Sequence, residues 1–189
     1  MKELCTDVGY VSINHIGEQL CGDHVELVEQ DGGDSLVLVL ADGLGSGVKA
    51  SILSTLTAKI ISTMMANDLP LEDCVQAIAK TLPICKVRGV AYSTFTILRV
   101  TASLEAEIIQ YDNPRVILLR DGKGTPYPIT ERIIDGKTVA QSHVRLREGD
   151  TFVAVSDGVI HAGVGPKLNF GWQLPNVTAF LEENYDPAL

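Results

Sequence analysis

Two strand-like segments on either side of Gly32-Gly33 predict a tight antiparallel hairpin. Residues 24–31 ("HVELVEQD") alternate in polarity, whereas residues 35–41 ("SLVLVLA") form an apolar run typical of a strand buried on both faces. A glycine pair suits a two-residue type I′ turn, because both central residues of that turn need positive φ. Opposed residues of such a hairpin have numbers that sum to 65, so Asp23 should face Asp42.

A facing pair of aspartates is an unusual feature for a hairpin to keep. The Cα atoms of opposed residues lie about 5 Å apart, and like charges at that distance repel. The pair becomes favourable when a cation lies between the carboxylates or when they share a proton. Magnesium and manganese prefer hard oxygen ligands, and two carboxylates at this spacing can bridge two ions roughly 4 Å apart.

A third aspartate occurs in a similar sequence context. The segment 151–159 ("TFVAVSDGV") repeats the pattern of "LVLVLADGL", which predicts that Asp157 also lies at a strand tip. The glycine that follows Asp42 and the one that follows Asp157 each allow a sharp turn and leave their own carbonyl accessible to a metal or water. A single Asp-Gly pair is most often only a turn, but three carboxylates at strand tips favour a metal site.

The glycines of "GLGSG" also raise the possibility of a nucleotide-binding loop between a strand and a helix. Gly43, Gly45 and Gly47 alternate, however, and do not form the GxGxxG fingerprint. Lys49 is followed by Ala50, where a P-loop would have serine or threonine. The spacing therefore disfavours nucleotide binding.

The remaining periodicity predicts an α+β sandwich and not an alternating βαβ sheet. Apolar residues three to four apart predict a helix over 46–66, and Pro70 begins a second helix over 71–82. A last helix is predicted over residues 176–185. Further strands are predicted over 4–13, 92–100, 104–112, 115–121, 138–146 and 151–157.

Composition narrows the possible partners and compartment. The formal net charge of −9 argues against non-specific binding to nucleic acid or to an anionic membrane. No apolar run approaches the ~18 residues of a membrane span, and the N-terminus lacks a signal peptide. We therefore expect a single soluble, cytoplasmic domain over residues 1–189.

The cysteines do not indicate a metal or redox site. Cys5, Cys21, Cys74 and Cys85 show no CxxC spacing, so neither a zinc knuckle nor a redox dithiol is predicted. Reduced and partly buried thiols are the simpler interpretation.

Four segments, "CGD", "ADGLGSGVKA", "YSTFTIL" and "SDGV", resemble in order and spacing the SpoIIE-like (RsbU/RsbX-type) branch of the metal-dependent 2C-type (PPM) serine/threonine protein phosphatases. The resemblance implies a β-sandwich of mainly antiparallel sheets flanked by helices, with two Mn²⁺ or Mg²⁺ ions at one end. Asp23 and Asp42 match the metal-bridging aspartates of that family. The Gly43 carbonyl matches a backbone ligand, and Asp157 matches the third acidic ligand.

The same resemblance implies an activity and a class of substrate. A metal-activated water would hydrolyse phosphoserine or phosphothreonine on a small regulatory protein, of the STAS-type anti-anti-sigma or stressosome-like class. A catalytically weak or inactive phosphatase-fold binding module is the alternative. His24 and His161 flank two of the aspartates as a general acid, a ligand or packing residues. Lys86 and Arg88 either steer a phosphate or are simply solvated.

One family element has no counterpart after Asp157. Relatives end with a strand that carries Asp-Asp-x-Thr, whose aspartate completes the metal site, whereas Asp186 here is followed by a proline. On this basis we expect a truncated or unusually short member that holds one ion weakly and shows little turnover. The oligomeric state is left open.

Overall fold

The computed structural model describes residues 5–30, 35–81, 93–134, 136–165 and 167–186. The turn predicted at Gly32-Gly33 lies outside these described residues, as do Cys85, Lys86 and Arg88.

Two antiparallel sheets form the centre of the structure. The larger sheet has the strand order β1-β2-β3-β4-β8-β7, and the smaller has the order β6-β5-β9. The larger sheet contains β1 (Asp23–Gln30), β2 (Ser35–Gly43), β3 (Ser93–Thr101), β4 (Glu105–Tyr111), β7 (Thr130–Ile134) and β8 (Lys137–Arg145). The smaller sheet contains β5 (Ile117–Arg120), β6 (Lys123–Gly124) and β9 (Thr151–Val153).

In the described part of the chain, three helices cover the outer faces of the sheets: α1 (Gly47–Ala66) and α2 (Leu71–Thr81) pack on the larger sheet, and α4 (Leu174–Glu183) packs on the smaller one. A short fourth helix, α3 (Asp157–Ile160), has no buried residue. The inward face of α1, including Leu53 and Ile61, packs with Val39 and Ile97 of the larger sheet in one buried cluster. Full burial of side chains of this size stabilises the fold by about 1.5–3 kcal/mol each.

Two further clusters complete the layering. Ile108 and Val144 of the larger sheet pack against Leu118 of the smaller sheet, which forms the core between the sheets. Ile117 and Val177 belong to a third cluster, between the smaller sheet and α4. The order of layers is therefore α-β-β-α, which confirms the predicted fold class.

The predicted hairpin register is confirmed. β1 pairs with β2 so that Asp23 lies opposite Asp42, and Gln30 lies opposite Ser35 at the other end. β2 also pairs with β3, which places Thr94 opposite Asp42 on its other side. Asp42 therefore lies in the interior of the sheet, between two neighbouring strands.

Two strand predictions are wrong. Residues 5–13 form no strand, and Tyr10, Val11 and Ile13 are 68%, 85% and 81% exposed. None of the strands in the described part of the chain pairs with this segment, and an extended segment without a partner gains neither a hydrogen-bond ladder nor a buried face. The strand predicted over 151–157 ends at Val153, so Asp157 is not at a strand tip but is the first residue of α3.

No helix in the described part of the chain is long and apolar enough to span a bilayer. Location in the cytoplasm stays a prediction.

Candidate metal centre

The junction between β2 and α1 holds the end of the hairpin rigidly. The Gly43 amide donates a hydrogen bond to the Gly22 carbonyl at 3.1 Å, which continues the pairing beyond Asp23. A Cβ atom on Gly43 would lie only 2.1 Å from the Ala50 carbonyl oxygen, so only glycine fits against the first turn of α1. The predicted backbone ligand therefore lies where strand, hairpin end and helix are in contact.

Asp157 reaches the same site through the residue that precedes it. Ser156 is buried, and its hydroxyl donates a hydrogen bond to Asp23 Oδ2 at 2.7 Å. This contact ties the start of α3 to the start of β1, across 133 positions of sequence. The structure thus brings together all three aspartates that the sequence singled out, although Asp157 arrives on a helix.

Sequence reasoning missed Ser156 as a member of the site. The only available signal is its place in "VSDG", as a small polar residue between an apolar run and Asp157. The hydroxyl accounts for one lone pair of the Asp23 carboxylate and fixes its orientation toward Asp42.

Burial and neighbouring negative charge dominate the electrostatics of the site. Burial raises the pKa of Asp42 to about 8, together with repulsion from the Asp23 and Asp157 carboxylates and hydrogen bonding to both. Three carboxylates that interact this closely cannot all ionise without a compensating positive charge. The site therefore takes up a proton at neutral pH unless a cation is bound there.

The oxygen donors of the site fit a hard divalent cation, but the geometry limits how many side chains can bind one ion. Carboxylate and carbonyl oxygens are the ligands that Mg²⁺ and Mn²⁺ prefer. In the described part of the chain, however, no group of three or more His, Cys, Asp or Glu side chains stands in an arrangement that could hold one metal ion. Each ion would therefore have one or two aspartate ligands and several water or phosphate oxygens, an arrangement common for Mg²⁺.

The histidine next to Asp23 faces away from the carboxylates. Successive side chains of a strand point to opposite faces. His24 accordingly turns toward α1, where its Nε2 lies 3.2 Å from Glu26 Oε2, and Glu26 also pairs with Lys59. His24 is thus part of a polar cluster with Glu26 and Lys59 between β1 and α1, and not of the aspartate site.

Cys21 makes hydrogen bonds next to the site. Its Sγ accepts a hydrogen bond from the Asp23 amide at 3.4 Å and donates one to the Ile13 carbonyl at 3.6 Å. Both contacts position backbone. Cys5, Cys21 and Cys74 are free thiols, as predicted for the cysteines in the described part of the chain.

A cavity of about 540 Å³ opens beside Asp157. Its wall includes Asn113, Arg115 and His161, from the turn between β4 and β5 and from the end of α3. Asn113 and Pro114 lie in the short connection between β4 and β5. The sequence did not indicate that this connection would lie next to the aspartates.

Comparison with known proteins agrees with this architecture. The family model for Stage II sporulation protein E (SpoIIE) matches residues 32–187, a range that includes Asp42 and Asp157 and begins after Asp23. A search of curated proteins found no significant match.

Three solved structures are similar in fold. The PP2C phosphatase domain of SpoIIE from Bacillus subtilis, with a fragment of its regulatory domain, has a TM-score of 0.73 at 16% identity, over 94% of this chain and 51% of that one. The RsbU and RsbW domains of Rv1364c from Mycobacterium tuberculosis have a TM-score of 0.63 at 20% identity, over 82% of this chain and 44% of that one. RsbX in complex with magnesium has a TM-score of 0.58 at 21% identity, over 94% of this chain and 86% of that one.

The chain spans about half the length of the first two of these structures. At these identities the similarity shows the fold, whereas the family-model match extends over most of the sequence. The chain therefore belongs to the SpoIIE family, and it has the fold of the metal-dependent 2C-type (PPM) phosphatases.

Proposed function

We propose that this chain is a protein serine/threonine phosphatase that depends on divalent cations and hydrolyses phosphoserine or phosphothreonine on a regulatory protein. The observation that carries the proposal is the Asp23–Asp42 pair at the end of the hairpin, with Asp157 in electrostatic contact. Repulsion among three carboxylates is a cost to the fold that bound cations would remove.

The residues of this site would have different roles in metal binding. Asp23 and Asp42 would hold two Mn²⁺ or Mg²⁺ ions between them, with the Gly43 carbonyl and Asp157 as further ligands. Ser156 keeps the Asp23 carboxylate oriented through its hydrogen bond. When bound, the ions supply electrostatic stabilisation of the phosphoryl oxygens and lower the pKa of a water molecule.

The proposed substrate class is a small phosphorylated regulatory protein of the STAS or stressosome-like type, met in the cytoplasm. Support comes from the proteins that share this fold: similar structures include RsbU and RsbW domains and a protein described with the bacterial stressosome. The net charge of −9 also makes a nucleic-acid partner unfavourable.

A second candidate is a phosphatase-fold binding module with weak or no catalysis. Two observations favour it: Asp157 is exposed, and the described residues contain no three-side-chain arrangement that could hold an ion. Such a module would bind its partner equally well with and without metal.

Hydrolysis of p-nitrophenyl phosphate and of a phosphoserine peptide with Mn²⁺ separates the two candidates. A phosphatase should turn over both substrates, stop with EDTA and lose turnover by orders of magnitude in Asp42→Asn. Asp121→Asn, at an exposed turn beyond β5, is the matched control and should keep full activity. Metal-independent capture of a partner without turnover would support the binding module instead, and full activity of Asp42→Asn would exclude the metal-bridging role.

A further inference from the structure

The cavity beside Asp157 has a rigid wall. The Asn113 side chain accepts a hydrogen bond from Thr94 Oγ1 at 2.8 Å and donates one to Thr96 Oγ1 at 3.2 Å. Gln110 is buried and accepts a hydrogen bond from the Val116 amide, at the other end of the same turn. The turn that carries Arg115 is therefore fixed to β3 at the position where Thr94 pairs with Asp42.

Arg115 places a positive charge at the edge of an acidic site. Among the described residues that line the cavity, it is the only one with a permanent positive charge, and Asp112 and Asp157 lie on the same wall. An arginine that points at an anion offers five N–H donors in a planar fork. The residue is thus suited to bind an oxyanion that enters next to the aspartates.

The present partner of Arg115 leaves most of that capacity available. Arg115 Nη2 lies 3.2 Å from Glu131 Oε1, and the two side chains are 40% and 62% exposed. Ion pairs with this exposure contribute little to stability. An anionic ligand can therefore displace Glu131 or bind to the remaining donors.

We propose that this cavity receives the substrate segment that carries the phosphorylated residue, and that Arg115 binds an anionic group of that segment. The group is either the phosphoryl group itself or a carboxylate next to the phosphorylated residue. This inference rests on the proposed phosphatase function. It assigns the positively charged contact with substrate to the β4–β5 turn, and it makes Glu131 a competitor for that contact.

Steady-state kinetics with Mn²⁺ test the proposal on three substrates: p-nitrophenyl phosphate, a nine-residue phosphoserine peptide flanked by alanines, and the same peptide flanked by aspartates. Arg115→Ala should raise KM about tenfold and leave kcat within about twofold, since charge-assisted hydrogen bonds have roughly this strength. A higher KM for all three substrates would identify the phosphoryl group as the group that Arg115 binds. A higher KM for the acidic peptide alone would identify a flanking carboxylate. Unchanged KM on all three overturns the proposal.

Glu131→Gln provides a test in the opposite direction. Release of Arg115 from its partner should lower KM about twofold to threefold, and the double variant Arg115→Ala/Glu131→Gln should lose that gain. A merely structural role for Arg115 predicts no such dependence. Arg145→Ala, an exposed arginine at the far end of β8, is the matched control and should leave KM unchanged.

Binding without turnover separates this inference from the proposed function. Fluorescence anisotropy in EDTA, with the two phosphoserine peptides labelled, should show about tenfold weaker binding to Arg115→Ala than to the wild type. If the wild type binds in this way but hydrolyses nothing with Mn²⁺, the phosphatase proposal fails and the peptide contact stands. Equal binding by both proteins, or no binding by the wild type, overturns the contact.

Discussion

Asp42 combines burial, close carboxylates and a position between two strands. Its pKa of about 8 means that the metal-free folded protein binds a proton there that the unfolded chain releases near pH 4. The stabilisation from this group is complete below about pH 4 and is lost as the pH rises through about 8. The Asp42 carboxylate therefore destabilises the metal-free fold most at alkaline pH.

Asp42→Asn should accordingly stabilise the metal-free protein, and more so at pH 8.5 than at pH 5. Asparagine keeps the shape of the side chain and removes the charge that burial and two carboxylates disfavour. Thermal unfolding in EDTA at the two pH values measures the effect. An equal change in Tm at both values would contradict the assignment of a raised pKa to Asp42.

Asp157 is the second residue whose role is open to a direct measurement. It is exposed at the start of α3, so Asp157→Asn should fold normally. Loss of one carboxylate leaves more uncompensated charge on a bound ion, and we expect Mn²⁺ affinity to fall about tenfold or more. Calorimetric titration of metal should show this change, with Asp121→Asn as the control. Indistinguishable titrations of Asp157→Asn and the wild type would remove Asp157 from the ligand set.

At the scale of elements, the contact between the end of β2 and the first turn of α1 positions the site. Gly43 is in contact with the Ala50 backbone, and no side chain fits between them. The helix start and the Asp42 carboxylate are therefore fixed relative to each other. A change in this contact should alter stability and metal binding together.

Gly43→Ala tests that coupling. The added methyl group would overlap the Ala50 carbonyl oxygen and should displace α1, at a cost of about 1–3 kcal/mol or more in the free energy of unfolding. Mn²⁺ affinity should fall as well. Gly9→Ala, where an added Cβ has no atom within 4 Å, is the control and should change neither quantity. Wild-type stability and affinity in Gly43→Ala would show that the junction tolerates displacement.

At the scale of the whole molecule, Arg120 connects the two sheets away from the aspartate site. Its ion pair joins β5 to Asp150, the residue before β9 of the same smaller sheet, and its hydrogen bond to a backbone carbonyl reaches β8 of the larger sheet. Arg120 of β5 donates two hydrogen bonds to Asp150, at 2.8 Å and 2.7 Å, and a third to the Arg145 carbonyl of β8. The Asp150 side chain is 2% exposed and that of Arg120 is 18% exposed. Burial by itself raises the pKa of Asp150, but the hydrogen bonds from Arg120 and the Arg147 amide outweigh it and lower the pKa overall.

Asp150→Asn should lower the free energy of unfolding at pH 7, because it removes the charged partner of Arg120 and weakens the charge-assisted hydrogen bonds between them. The contribution of a carboxylate with a lowered pKa is present above its unfolded pKa and is lost as the pH falls through the folded value. The difference between variant and wild type should therefore shrink as the pH is lowered from 7 toward 3. Urea unfolding at several pH values measures it, and a difference independent of pH would contradict the role of the charge.

The hairpin shows how far local sequence patterns predict this molecule. Alternation in 24–31, the apolar run in 35–41 and the glycine pair between them were enough to predict the Asp23–Asp42 register. Strand pairing across a short turn depends on a period of two residues and on the turn length, and both are legible in the sequence. The layered fold also followed from the order of elements, since each amphipathic element has to bury its apolar face.

Contacts between distant segments were decided by the tertiary structure alone. The hydrogen bond from Ser156 to Asp23, the placement of Asp157 on α3 and the position of Arg115 beside it join parts of the chain with no common periodicity. The apolar alternation near the N-terminus predicted a strand that does not form over residues 5–13, since none of the described strands pairs with it. Local pattern determines which elements a segment can form, whereas the packing of distant segments determines which of them form and which side chains meet.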